Sequence, residues 1–399
     1  MLEDPKGSGK QFIVSKAGQA TRLDSVEQKD EFFTIWQDDL DFKQHQFPTI
    51  QHIFYLAYEA GALFEKLPAP KQSTDNALIW RHQPEWSICF VPEKAKVYLS
   101  SIHSEEDLDD LQAQLQISEP IERNTKSCSS VTSETLFDYK KAVKKVQAYI
   151  QAGDIFQANI ARFWFKAYAK EDVFSLYGKL RHVNPAPFSC YLDMGDMCII
   201  SASPERLFSI SDTGEVSARP IAGTRKRSEG QADSALQDEL LLSEKERAEH
   251  IMLVDLERND LGRVCEAGSI HVDECMVIEK YATVQHIVSN VRGQLTQGLD
   301  MLDVLAAKFP GGTITGCPKV RCMEIIHELE PQPREVYTGG VGYMAWDGSV
   351  DMNILIRTFW HQNNSLHWAA GAGIVADSVP EHEEVETEHK VEGLLRAFR

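Results

Sequence analysis

The chain has 399 residues, 43% hydrophobic and 9% aromatic, enough to bury a large core in two or three average domains or one large domain with an appendage. Its formal net charge of −19 argues against nucleic acid and against an anionic membrane surface as partners. The same charge sets a condition: an anionic substrate would need local lysines, arginines or a metal ion to reverse the field.

The opening MLEDPKGSGKQF has no charged-then-apolar leader pattern, and no apolar run approaches about 18 residues, so a soluble, cytoplasmic protein is expected. Residues 53–63 are strongly apolar, and 86–91 and 96–100 read as paired strands. From 100 to 135 the chain is polar, charged and serine-rich, with one short helix near 107–115. We place a short N-terminal subdomain at 1–118, a linker at 119–135 and a catalytic domain at 136–399. Helical spacing of Val143, Val146, Tyr149 and Ile150 predicts a helix over 136–152, followed by a Gly-Asp turn and a strand over 156–165. Further strands are predicted at 189–192, 197–201, 207–210, 277–279, 339–345, 352–359 and 366–371. Helices are predicted near 233–254, 283–295, 301–308, 318–329 and 380–398. Strands often follow one another without a helix between, which indicates an α+β fold with largely antiparallel sheets and helices outside them. The eight cysteines show no Cys-x-x-Cys and no finger-like spacing, so they read as reduced thiols.

Two Glu-x-x-Glu pairs stand out: Glu246 and Glu249 in SEKERAEH, and Glu383 and Glu386 in PEHEEVETEHK, with Lys390 one turn beyond. Each pair lies on one helix face, and a single such pair is ordinarily a solvated face. Four acids from two distant segments could meet only around a cation. Oxygen ligands suit Mg²⁺, which keeps several waters and completes its shell with an anionic substrate. FPGGTITGCPK (309–319) fails as a phosphate loop, since Cys317 stands where the lysine is required. Its glycines suit a backbone that approaches a small ligand closely. RPIAGTRKR (219–227) is either a basic surface turn or one whose Gly223 and Thr224 N–H groups hold a carboxylate. VDLERNDLGRV (254–264) suggests structural ion pairs. His286 lies on a predicted apolar helix, where a histidine is more often a core residue than an acid or base. GGVGYMAWDGSVDMNILIR (339–357) reads as a hairpin turning at Asp347-Gly348, with Arg357 in either a buried ion pair or a substrate clamp.

In order, GDIFQANIA, SASPERL, RPIAGTR, SEKERAEH, VDLERND, VQHIVS, FPGGTITGCPK, GGVGY, ILIRT, GAGIVADS and PEHEEVETEHK resemble the chorismate-utilising enzymes, from about residue 137 to the end. The resemblance implies two antiparallel sheets sandwiched between outer helical layers, and conversion of chorismate, a cyclic dicarboxylate, with Mg²⁺. It implies that Glu249 and Glu386 hold the metal, with Glu246 and Glu383 in or next to its shell. Gly223 and Thr224 would bind the ring carboxylate. Tyr343, Arg357, the backbone of Gly371, Ala372 and Gly373, and Lys390 would hold the pyruvyl carboxylate. The implied catalytic set is Glu205, facing the ring hydroxyl, with Glu246, His286 and Thr313.

Family members that add water resemble one another in a Lys base where this chain has Gln157. Ammonia needs no deprotonation, so Gln157 points to amination. Two aminating branches remain. LAYEAG, QANIA, NPAPFS, FPGGTITG and Asp351-x-Asn353-Ile354 look like aminodeoxychorismate synthase component I, which adds nitrogen para. Ala222, where that branch typically has a Lys, looks instead like anthranilate synthase component I, which adds it ortho. We expect the para branch, with a separate glutaminase (glutamine amidotransferase) subunit supplying ammonia, since the chain shows no Cys-His-Glu glutaminase signature. The alternatives are the ortho-aminating enzyme and a non-catalytic scaffold for a glutaminase.

Overall fold

A computed structural model describes residues 2–3, 11–15, 18–40, 49–68, 76–91, 95–102, 108–109, 112–113, 132–226, 231–280 and 284–399. Every strand pairing among them is antiparallel, and the strands form two large sheets. The first sheet runs Gly316–Cys317, Gln157–Ala167, Ser365–Ile374, Thr358–Gln362, Met197–Ser203, Phe188–Asp193, Leu2–Glu3, Gln11–Val14, Trp86–Val91 and Lys96–Ser101. Ser133–Glu134 adds beside Gln157–Ala167. The second runs Ile221–Lys226, Val284–Gln294, Glu215–Ala218, Arg206–Ile210, Val350–Asn353, Gly340–Ala345, Ile50–Leu56, Ile79–Pro84 and Gly18–Leu23, with His271–Lys280 beside Val284–Gln294.

The central strands of each sheet are covered on both faces. Between the sheets, Phe12, Ile53, Tyr55, Phe163, Ile199, Val341 and Trp360 share one core. On the outer face of the second sheet, helices Lys29–Asp38 and Met301–Lys308 pack Trp36, Val304 and Leu305 against Phe54, Phe208 and Met352. Helices Val173–Val183 and Pro380–Leu395 cover Trp164, Ile200, Phe359 and Trp368 on the outside of the first sheet. Tyr139–Gln151 and Lys319–Leu329 cover Ala158, Ile160, Ala372 and Ile374 further along the same face. The result is helices, sheet, sheet, helices, the α+β sandwich expected.

Strand alternation assigns the side chains. On Gln157–Ala167 the even positions 158, 160 and 164 point out under the helices, and 161 and 163 point into the inter-sheet core. On Ser365–Ile374, 370, 372 and 374 point out and 369 points in. Positions 157, 159, 371 and 373 therefore lie on the inner face.

Two of the chain's crossings between the sheets lie side by side. The chain leaves Met197–Ser203 in the first sheet for Arg206–Ile210 in the second, and leaves Val350–Asn353 in the second for Thr358–Gln362 in the first. The two crossings touch, with the Ile354 N–H donating to the Glu205 carbonyl at 3.0 Å. This corrects the single strand expected over 352–359: the chain breaks at 354–357, where Arg357 takes φ +53°.

The helix expected over 283–295 is the strand Val284–Gln294. Val284, Ile287, Val288 and Val291 fall at i, i+3, i+4 and i+7, which imitates a helix face. The residues are β-branched, however, and the strand has neighbours on both sides, so nearly every position is buried whatever its parity. The helix expected over 233–254 is two, Gln231–Leu242 and Glu244–Gly262, parted at Ser243, whose side chain caps the second. The hairpin at Asp347-Gly348 and the paired strands at 86–91 and 96–101 are present. The helix expected near 107–115 and the linker at 119–135 lie for the most part outside the described residues. Strands from before residue 102 extend the same two sheets as those after 132. Cys89, Cys190, Cys198, Cys265 and Cys322 are buried free thiols. Among the described residues no helix is long and apolar enough to cross a membrane.

Candidate active site

The floor of the site is the end of the strand pair Gln157–Ala167 and Ser365–Ile374, in register Ala161 to Gly371 and Asn159 to Gly373. A Cβ on Gly373 would stand 2.2 Å from Gln157 Nε2, and one on Gly371 2.2 Å from Asn159 Oδ1. The two glycines are therefore required by the two amides lying across them. Ala372 between them points the other way, into the helix-covered core. Gln157 Nε2 donates to Glu249 Oε1 at 3.2 Å, tying the first glutamate pair to the floor.

The loop 309–319 closes the outer side of this strand. Cys317 O accepts from Phe156 N at 2.8 Å and Thr315 O from Asn159 N at 3.0 Å. Gly316 takes φ +132°, and a Cβ there would lie 2.1 Å from the Gln157 carbonyl. A Cβ on Gly312 would meet Leu256, and one on Gly311 would meet Ile354. These glycines thus serve close approach to the protein's own chain, where the sequence suggested approach to a ligand. The same loop sends Thr313 Oγ1 to donate to Glu205 Oε1 at 2.7 Å.

Glu205 and Arg357 stand at the two crossings. Glu205 is 7% exposed, and burial pushes its carboxyl up to about 7, against the Thr313 hydrogen bond and the charges of Lys390 and Lys308. Arg357 is half-buried and has no carboxylate partner among the described residues, so of its two sequence readings the ion pair is not formed. Burial holds its pKa below the usual arginine range. Beside it is Tyr337, 4% exposed, whose phenol is hydrogen-bonded to the Gly371 backbone and feels the Arg357 charge. The sequence reading passed over Tyr337. Its signal was a tyrosine just before the Gly339-Gly340 pair, masked by Tyr343 in the stronger strand pattern. Tyr343 lies within the inter-sheet core, its ring 4.6 Å from that of Phe12.

Two helix N-termini bring the acids, where the helix dipole favours negative charge. Glu246 follows the Ser243 cap in the first turn of Glu244–Gly262. Its Oε2 would be 2.8 Å from a Cβ on Gly223. Gly223 takes φ +59° where the Ile221–Lys226 strand slips register between Ala222 and Thr224, a bulge that only glycine forms without strain. His286, 5% exposed, places Nδ1 3.2 Å from the Gly223 carbonyl, and its backbone pairs with Thr224. Ala222 is buried beside them and pairs with Ile287. From Pro380–Leu395, Lys390 Nζ donates to the Gly371 carbonyl at 2.9 Å and pairs with Glu386 Oε1 at 2.7 Å. Glu383 is 9% exposed, and both it and Glu386 act electrostatically on the Tyr139 phenol.

The other charged motifs are structural. Arg219 pairs with Glu274 and Glu279, Lys308 with Glu257, and Lys319 with Asp260.

Residues 1–396 match the chorismate binding enzyme family. The chain belongs to the chorismate binding enzymes. It is 48% identical over 262 residues to aminodeoxychorismate synthase component 1 of Bacillus subtilis, spanning 65% of this chain and 55% of that protein. To anthranilate synthase component 1 of Aquifex aeolicus it is 47% identical over 262 residues, 65% of this chain and 53% of that one. The chain thus spans about half the length of these curated relatives. The crystal structure of anthranilate synthase component I from Streptococcus pneumoniae superposes with a TM-score of 0.88 at 28% identity, covering 100% of this chain and 94% of that one.

For a chorismate binding enzyme the metal set deserves a direct test against the donors. Among the described residues no three acids, histidines or cysteines converge, so the four glutamates do not make a closed cage. Mg²⁺ asks for less: one or two carboxylates, several waters and an anionic substrate. Glu249, anchored on Gln157, and Glu386, anchored on Lys390, fit that smaller role, since both anchors rest on the same two-strand floor.

Proposed function

We propose that this chain is the chorismate-aminating component of an ammonia-dependent synthase, an aminodeoxychorismate synthase component I making 4-amino-4-deoxychorismate. The observation that carries the reading is Gln157. The inner-face floor positions are Gln157, Asn159, Gly371 and Gly373, none of which can take a proton from water near neutral pH. Ammonia brings its own lone pair and needs no such base.

Arg357, Tyr337 and the Gly371 backbone, with Lys390 behind, hold the pyruvyl carboxylate by charge-assisted hydrogen bonds. The bulge at Gly223 and Thr224 turns backbone N–H groups to the ring carboxylate. Glu249 and Glu386 would hold Mg²⁺, with Glu246 and Glu383 flanking, and the ion when bound supplies positive charge to that carboxylate. Glu205, whose carboxyl is pushed up to about 7 so that a large share keeps its proton at neutral pH, and which Thr313 orients, gives that proton to the departing ring hydroxyl. The ammonia lone pair forms the C–N bond as the ring C–O bond breaks. Water leaves, and the new ammonium group returns one proton, so proton uptake and release cancel. Ammonia comes from a glutaminase subunit.

Ala222 supports a second reading. With Ala222 standing where the para branch has an amine, direct attack at ring carbon 2 would give anthranilate and pyruvate, the ortho product. Incubation with chorismate, Mg²⁺ and ammonium, followed by product identification with and without aminodeoxychorismate lyase, separates the two. 4-Aminobenzoate only with lyase is the expected result. Anthranilate without lyase assigns the ortho branch, and absence of either overturns amination.

A further inference from the structure

Two buried acceptors on the floor have no donor. Gln157 is 4% exposed and Asn159 7%, and neither Gln157 Oε1 nor Asn159 Oδ1 has a hydrogen-bond partner among the described residues. The Gln157 amide nitrogen is engaged by Glu249, so its carbonyl is the end left over. Both side chains lie on one strand face, opposite glycines that could carry no Cβ without collision. Residues two apart on a strand stand about 6.5–7 Å from one another. That spacing is between backbones; two N–H donors of one small molecule, each reaching about 3 Å, engage oxygens about 5 Å apart, a separation the longer Gln157 side chain can give by leaning toward Asn159. The Asn159 backbone is fixed at both ends, its N–H on Thr315 O at 3.0 Å and its carbonyl on Arg334 Nη2 at 2.7 Å, so the amide is held in place beforehand.

We propose that Gln157 Oε1 and Asn159 Oδ1 together seat the attacking ammonia, making Asn159 a substrate-binding residue for the nucleophile. This deepens the amination reading and rests on it. Ammonia has three N–H donors and one lone pair. Giving two hydrogens to the two carbonyls leaves the lone pair directed away from the strand, toward a ring held by Arg357 and the Gly223 bulge. Neutral carbonyls also suit the free base better than ammonium, whose lone pair is already taken and whose charge prefers a carboxylate.

The test is the ammonia dependence of the full chain at fixed pH and saturating chorismate, for the native protein, Asn159→Ser and Asn159→Leu. Leucine keeps the volume without an acceptor, and serine keeps a shorter one. The KM for ammonia is expected to rise about tenfold in Asn159→Leu, the worth of one neutral hydrogen bond, with Asn159→Ser between. The KM for chorismate and the melting temperature should be unchanged, which separates the seat from a folding defect. An unchanged ammonia KM, or a chorismate KM that rises alongside it, overturns the proposal. A native chain that binds chorismate but never aminates it removes the amination reading and this seat together, whereas aminating variants with native ammonia KM remove the seat alone.

Discussion

Glu205 shows how one buried group links chemistry to stability. Its carboxyl, ordinarily near 4.5, is pushed to about 7, so the folded protein favours its neutral form. A carboxyl raised on folding contributes most to stability below its ordinary value, and that contribution is lost as pH rises through about 7. Glu205→Gln should therefore melt higher than the native chain near pH 8, by up to about 3 kcal/mol, and about equally near pH 4.5. The same variant should lose about 100-fold or more in kcat and lose the fall in rate above about pH 7, because the general acid is gone. A pH series of melting curves and initial rates checks both. A variant less stable than native at high pH would mean the carboxylate is the form the fold holds. The sequence made Glu205 readable through its motif, but the shift in its acidity comes from a crossing between sheets that no local pattern encodes. Asn159 was legible only as part of a strand, since its importance depends on a glycine 212 positions later in the chain, counted from residue 159 to 371.

Among the elements, the strand Gln157–Ala167 depends on a prop that is not a strand. Its outer neighbour Gly316–Cys317 pairs only with Ala158 and Gln157. Beyond it, the fully buried Arg334 takes over, donating to Asn159 O at 2.7 Å and Ile314 O at 3.0 Å while bonding both oxygens of Glu330. Glu330 in turn accepts from Ala161 N at 2.9 Å. Arg334→Leu leaves the Glu330 charge buried without its counter-ion and a strand carbonyl without its side-chain donor, and should cost about 3–5 kcal/mol in urea unfolding. A loss below about 1 kcal/mol would show that the strand holds itself. Glu330 and Arg334 stand four apart within ELEPQPREVY, but the strand groups they prop, at Asn159 and Ala161, lie far away in sequence, so no local pattern shows the prop. Local signals did better where turn chemistry decides, as at Asp347-Gly348. They failed at Val284–Gln294, where the spacing of apolar residues and the preference of β-branched side chains pointed to different structures.

Across the whole molecule, neither sheet is confined to one part of the chain. Strands from before residue 102 pair directly with Phe188–Asp193 in one sheet and with Gly340–Ala345 in the other. Deleting residues 1–118 should therefore uncover two sheet edges and the apolar residues that packed against the lost strands, among them Leu192, Phe208, Val341 and Met352, giving aggregated protein on size-exclusion chromatography. A monodisperse, folded fragment from 119 onward would show that the N-terminal part is dispensable to the core. The floor strands have a different consequence, for how such an enzyme can change. Even positions 158, 160, 370 and 372 answer to packing under the helices, and odd positions 157, 159, 371 and 373 line the inner face, free of that packing. Of the odd four, the glycines have no room to vary. The strand pair thus offers evolution two interchangeable letters, 157 and 159, through which a new nucleophile could be admitted while the text that specifies the fold is left unedited.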